Sequence, residues 1–366
     1  MAKTEAVVLA NSAFSIPPGA RAVRRTDPNR WIELTLGVRR KAALLDLSAW
    51  EEIPPSQRVP LSRSDVARHH GPDPAAIDAI TAWAEARGLT VTRLDPVAAR
   101  LGLAGTAGSL DEAFEVELFD FEHPELGEFH ARTGLLHAPA AVARAITGVF
   151  GFNNHPILRP PADALGSAAV TGPWSVPAAL ARIYSCPAAN VPGRTIGLVA
   201  FGDAGQTADV TAYLSRLGLT RPTVQVVPGS TPVAGVTPRP KLVVYSSTYD
   251  EKGLIDVLST VVADAANDPS VLSIGWGERA APAFAGSPAW SPPLIEHIAE
   301  SFLVAAHLGI SIIADNGGTG LAAEVRADRI AAAEPLLASL VARLKSMLYL
   351  DRTAGGDTAD LLAAFR

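Results

Sequence analysis

The sequence predicts an α+β unit of ferredoxin-like type, then a parallel α/β sheet with helices on both faces, then a helical tail. Three observations carry that expectation. Between residues 31 and 149, helical patterns are mixed with strands that alternate apolar and polar side chains. From Thr195 onward, continuous apolar runs (TIGLVAF, KLVVY, VLSIGW, ISIIAD) alternate with helical stretches, the pattern of parallel strands buried on both faces. Between these regions, PILRPPADALGSAAVTGP at 156–173 holds four prolines and reads as an extended, exposed linker. The expected boundaries are therefore 1–155, 156–173, 174–320 and a tail over 321–366.

In the first unit, WIELTLGV at 31–38 alternates as a half-buried strand. Ser62 and Asp65 form a capping pattern for a helix through His69. Asp73-Pro74 opens an amphipathic helix to Ala86, with Ile77, Ile80, Trp83 and Ala84 on one face and Gly88 beyond its end. LTVTRL at 89–94 is a second strand, and Ser109 is the expected cap of a helix through Phe114. Residues 117–121 and 129–132 form a hairpin around His123–Gly127, and Pro139 starts a helix to Val149. In the second unit, strands are expected at 195–201, 224–227, 241–245 and 271–277, and a last one over ISIIAD. Helices are expected at 176–184, 207–217, 253–266 and 292–308. Right-handed crossovers then give a doubly wound sheet. Leucines at 336, 337, 340, 344 and 348 recur at helical spacing in the tail, as a packed helix or a partner-binding one would.

Composition narrows the function. With 48% hydrophobic and 19% charged residues, the 366-residue chain can bury a core. A net charge of -6 with no basic block argues against a nucleic-acid partner. The single cysteine, Cys186, has no internal disulfide partner and no flanking His or basic residue, so it reads as a buried thiol. No run reaches the ~18 apolar residues of a membrane span, and no signal-peptide core is visible near the start. The expectation is a soluble, cytoplasmic protein with no membrane partner, no cofactor and no metal. His69, His70, His123, His130 and His137 lack ligand spacing.

Longer motifs carry a family resemblance. LSRSDVARHHGPDPAAIDAITAWAEARGLTV at 61–91, LDEAFEVEL at 110–118 and RTGLLHAPAAVARAITGVFGFNNHP at 132–156 resemble the activation prodomain of sedolisins, the serine-carboxyl peptidases, in their kumamolisin-like branch. TGPWSVPAALARIYSCP, TIGLVAFG, KLVVY, SVLSIGWG and GISIIADNGGTG are similar to landmarks of that family's catalytic domain, as far as Gly320. The resemblance implies a partial subtilisin-like α/β domain. It also implies a serine nucleophile, a Glu base with an Asp behind it on one helix face, an oxyanion Asp, and a calcium site near the C-terminus. Carboxylates can do this work at acidic pH, where a shared proton keeps one able to donate.

Set against that pattern, the chain departs at each catalytic part. STPVAGVTPRP stands directly before KLVVY, where the Glu-Asp helix is expected. Gly318 stands at the oxyanion position, with Asp315 as a substitute only if the turn is shifted. No Gly-Thr-Ser segment followed by proline occurs downstream, and the calcium-binding tail is replaced by 321–366. Without nucleophile, base and oxyanion donor there is no route to an acyl-enzyme. The expectation is a sedolisin-like pseudopeptidase with an uncleaved prodomain, acting as a binding or scaffold protein. Its candidate cleft is Ser273, Gly275, Trp276, Asp315, Asn316 and Gly317, at the carboxyl edge of the sheet. Two alternatives stay open. One is a repurposed enzyme using Asp203, Ser246, Ser247 or Glu278 at the same edge; the other is a trans-acting inhibitor or chaperone of an active peptidase. The expected partners are a protein or peptide ligand, and a second copy through the sheet edge or residues 336–348.

Overall fold

A computed structural model describes residues 6–44, 57–157, 195–201, 224–226, 241–274 and 290–314. The first unit contains strands β1 (Ala6–Val8), β2 (Arg21–Arg25), β3 (Trp31–Val38), β4 (Thr90–Asp95), β5 (Arg100–Thr106), β6 (Glu117–His123), β7 (Gly127–Thr133), β8 (His137–Pro139) and β9 (Ile146–Phe150). Its helices are α1 (Arg63–His70), α2 (Pro74–Glu85), α3 (Ala107–Phe114) and α4 (Ala140–Ala145). Four strands pair antiparallel in the order β4-β5-β3-β9. With α2 joining β3 to β4 and α4 leading into β9, this is the expected split β-α-β layer. The β6–β7 hairpin is longer than expected and pairs with β2 as a separate three-stranded sheet.

Alternation places the core. Ile32, Leu34, Leu36 and Val38 point to one face, where Ile80, Trp83, Leu110 and Phe114 complete an apolar cluster. Trp83 and Phe114 meet edge to face, their ring centroids 4.9 Å apart.

Two expectations are corrected. The cap of α3 is Thr106, whose side chain accepts from the Ser109 amide; Ser109 lies inside the helix. The helix expected from Pro139 to Val149 stops at Ala145, and Ile146–Phe150 becomes β9, paired with β3. Thr147-Gly148-Val149 disfavours a helix, and pairing with β3 satisfies its backbone. β5 carries three glycines or alanines among RLGLAGT and is buried on both faces, so it shows no alternation.

The second unit is a five-stranded sheet in the order β11-β12-β10-β13-β14, all parallel. The strands are β10 (Thr195–Phe201), β11 (Val224–Val226), β12 (Lys241–Ser247), β13 (Pro269–Ile274) and β14 (Ser311–Ala314). Helix α5 (Glu251–Ala263) joins β12 to β13, and α6 (Pro292–His307) leads into β14. Both crossovers move the chain in the same direction across the sheet, so right-handed connection puts both helices on one face. The helices expected at 176–184 and 207–217, most of the linker and the tail lie outside the described residues.

A second core cluster crosses between the units. Val66, Val97, Ala98 and Phe150 of the first unit, with Ile157 just beyond it, pack with Val199, Val243, Tyr245, Leu254 and Phe302 of the second. Among the described residues, no helix is long and apolar enough to cross a membrane.

Candidate functional site

Parallel pairing aligns the strand ends. Phe201 lies opposite Ser247, and Ile274 opposite Ala314, so β10, β12, β13 and β14 finish along one carboxyl edge. In open α/β sheets this edge is where ligands bind. Ser273 sits half-buried within β13, between Leu198 and Ile313. Ser246 is buried near the end of β12, and Ser247 closes that strand. The Ser247 hydroxyl lies 2.9 Å from where a Cβ on Gly253 would stand, beneath the first turn of α5. Gly275, Trp276, Glu278, Asp203, Asp315, Asn316, Gly317 and Gly318 all lie outside the described residues.

The carboxylates found at this edge are ones that sequence reasoning passed over. Asp250 is the N-cap of α5, its side chain accepting from the Gly253 amide at 2.8 Å. Glu251 accepts from the Ser291 amide at 3.3 Å, tying the start of α5 to the N-cap of α6. Burial raises both carboxyls above their ordinary range. The signal was an Asp placed before Glu251 and three residues ahead of Gly253, a capping pattern read two residues too late. Both groups are engaged in holding helix starts.

Beside them Arg132 is buried, donating to the carbonyls of Ser12 and Gly134, with its guanidinium 5.7 Å from the Phe14 ring centroid. Burial lowers it to about 10, and the Glu251 charge works against that. Arg132, Glu251, Ser291 and Asn11 line a cavity where the first unit meets the two helix starts.

The open face of the β4-β5-β3-β9 sheet packs on α5 and α6, and charge organises the contact. Glu300 of α6 accepts from Arg40 Nε at 2.5 Å and from Arg100 Nη1 at 2.9 Å, and lies 3.1 Å from His297 Nδ1. Burial works against the Glu300 carboxylate. Arg100, the His297 hydrogen bond and Arg40 outweigh it and hold the group well below its ordinary range. His297 is itself lowered, first by burial and then by Arg100. On α5, Asp256 accepts from Thr35 at 2.7 Å and Arg93 at 2.5 Å, and from Lys252 at 2.6 Å. Two glycines make the approach close enough. Gly37 and Gly148 pair across β3 and β9. A Cβ at either would stand within 2.6 Å of His297 Nε2. The imidazole fills the space that two side chains would otherwise take.

A split β-α-β layer clamped by charge onto a parallel α/β sheet defines the class, a mixed α+β protein. Residues 18–155 match the pro-kumamolisin activation domain. The chain is similar to kumamolisin of Bacillus sp. (strain MN-32), with 29% identity over 320 residues, covering 79% of this chain and 55% of that protein. It is also similar to tripeptidyl-peptidase sed5 of Aspergillus fumigatus, with 25% identity over 326 residues, covering 73% of this chain and 55% of that protein. The chain is thus related to the sedolisin family, and it spans about half the length of the curated relatives it matches.

Proposed function

We propose that the protein is a sedolisin-like pseudopeptidase: a non-proteolytic binding or scaffold protein whose prodomain stays docked on a subtilisin-like α/β domain. The observation that carries this reading is the shared, charge-locked interface. Arg100 is 1% exposed and is neutralised by Glu300 across the contact, and one apolar cluster draws side chains from both units. Separating the units would break the Arg100–Glu300 and Arg40–Glu300 pairs and expose the shared apolar cluster to water, the latter a large cost. Such a contact suits a permanent half of the fold better than a segment destined for release.

Parallel neighbours β11 and β12 need a crossover. The residues that supply it, 227–240, are rich in Pro, Gly and Thr and contain no Glu or Asp. The resemblance calls for the catalytic carboxylates there, and for an Asp where Gly318 stands. The repurposed-enzyme alternative gains little from Asp250 and Glu251, because both are engaged in capping. In this reading the cleft around Ser273 and Trp276 binds an extended segment without cutting it. The test is incubation of the full chain with an unfolded protein such as casein from about pH 3 to 8, read by mass spectrometry. Casein and the 156–173 segment should both stay intact. Time-dependent cleavage of either overturns the proposal.

A further inference from the structure

We propose that the open face of the parallel sheet over β13 and β14 is a docking surface for the chain's own leucine stripe, residues 336–348, folded back in the same molecule. This packing is independent of whether the protein cuts peptide bonds.

Register sorts the side chains of the sheet onto two faces. On one face Val199, Val243, Tyr245, Leu272 and Ile274 are buried in the cluster that α5 and α6 complete, and Ile312 packs against it. On the other face Ile196 stands beside Val271 and Ser311, and Leu198 beside Ser273 and Ile313. Ile196, Leu198 and Val271 are half-buried, and Ile313 is 58% exposed. None of these four apolar side chains belongs to an apolar cluster among the described residues. Strands of a parallel sheet are apolar on both sides and need a layer on both.

The exposure has a direction. Val244 and Ser246 of β12, on the same face as Leu198, are buried. Exposure then rises through β10 and β13 to Ile313 at the edge. The step from β10 to β11 crosses the sheet in the direction opposite to α5 and α6. A right-handed connection there runs over this second face on the β12 side. The half over β13 and β14 is left to a segment from later in the chain.

The stretch after β14 has the right chemistry and reach. Leu336, Leu337, Leu340, Leu344 and Leu348 recur every few residues, which on a helix makes one continuous apolar face. Pro335 stands at the position that opens a helix, and Ser339, Lys345 and Ser346 fall away from the stripe. Neither surface carries a charge: the stripe is apolar, and the sheet face adds only Ser273 and Ser311. A helix over 336–348 is about 20 Å long, the length of a six-residue strand such as β13. Residues 315–335 tether the stripe to β14. A tether of this size holds it near the sheet at an effective concentration on the order of millimolar, which favours the same molecule over a second copy.

The test is cross-linking of the full chain with a short bis-maleimide, read by peptide mass spectrometry. In a C186A background, I313C is combined with L340C or L344C on the stripe, or with S339C or S346C off it. The stripe positions should link to residue 313 within one chain at least about fivefold more than the others, with a yield independent of protein concentration. Circular dichroism checks that each variant keeps its fold. A second measurement needs no cysteine. I313D should lower the urea midpoint although Ile313 is exposed on the described sheet, and I313D with L340D should lower it by less than the sum of the two. Links formed only between chains overturn the proposal and assign the face to a second copy. Equal yields on and off the stripe, no link at all, or an I313D chain as stable as the original also overturn it.

Discussion

His155 shows how a single buried ring costs stability in acid. It is 4% exposed, between Phe14 and Phe129 with ring centroids at 5.6 and 5.7 Å, and its Nδ1 has no partner. Burial lowers its pKa to about 4. Above the unfolded value of about 6.5 neither state is protonated, so the ring has no effect there. As the pH falls from 6.5 towards 4, the unfolded chain takes up a proton that the folded chain refuses, and stability is lost. At pH 5 this amounts to about 2 kcal/mol. His130 and His297, also lowered by burial, act in the same direction, whereas the raised Asp250 and Glu251 gain stability as they protonate. Urea unfolding at pH 7 and pH 5 should show that H155Q loses about 2 kcal/mol less than the unaltered chain. Equal losses would remove His155 as the cause. Sequence spacing made metal ligation by the histidines an unlikely theme, but it carried no sign of which rings would be dry, because burial is decided by the aromatic side chains brought in from distant strands.

At the scale of elements, legibility followed periodicity. Helix α2 has one wet face and one dry face, and β3 alternates large apolar residues with polar or small ones even though Thr35 and Gly37 are covered by α5 and α6, so both patterns were clear and their bounds came within a residue. β5 is covered on both faces, and β2 is exposed along its whole length; neither alternates, so neither was read. The end of α4 was misjudged because its continuation is settled by pairing with β3, a partner more than 100 residues earlier. The carboxyl edge was legible from apolar runs, and the structure placed Ser246, Ser247 and Ser273 on its strands. The helix starts that face this edge were read late, and their caps are a testable part of the design. Asp250 accepts from Gly253 at the head of α5. Replacing a capping Asp by Ala costs roughly 0.5–2 kcal/mol. D250A should lower the urea midpoint accordingly, while D250N, which keeps the acceptor, should recover most of it. A D250A chain as stable as the original would mean that the cap is not holding α5.

The whole molecule is held together where sequence gave least warning. Each residue of the Arg40, Arg100, His297 and Glu300 cluster is ordinary in its own segment, and the cluster exists only because β3, β5 and α6 converge. Gly37 and Gly148 let His297 sit against the sheet, and that approach brings Glu300, on the same helix face, to Arg100 and Arg40. Glu300 is the sole ion-pair partner of two arginines among the described residues. Neutralising it leaves Arg100, 1% exposed, without a counter-charge. Breaking such a buried pair from one side costs about 3–5 kcal/mol. E300Q should therefore lower stability by that amount at neutral pH, measured by urea unfolding. Because one apolar cluster spans both units, the unaltered chain should unfold in one transition. With the charge lock gone, the first unit retains its own core of Ile32, Leu34, Ile80 and Phe114, so calorimetry of E300Q should resolve two transitions. R100M combined with E300Q should cost less than the sum of the two single changes, since the residues touch. A loss under about 1 kcal/mol for E300Q, with one transition kept, would show that apolar packing alone docks the units.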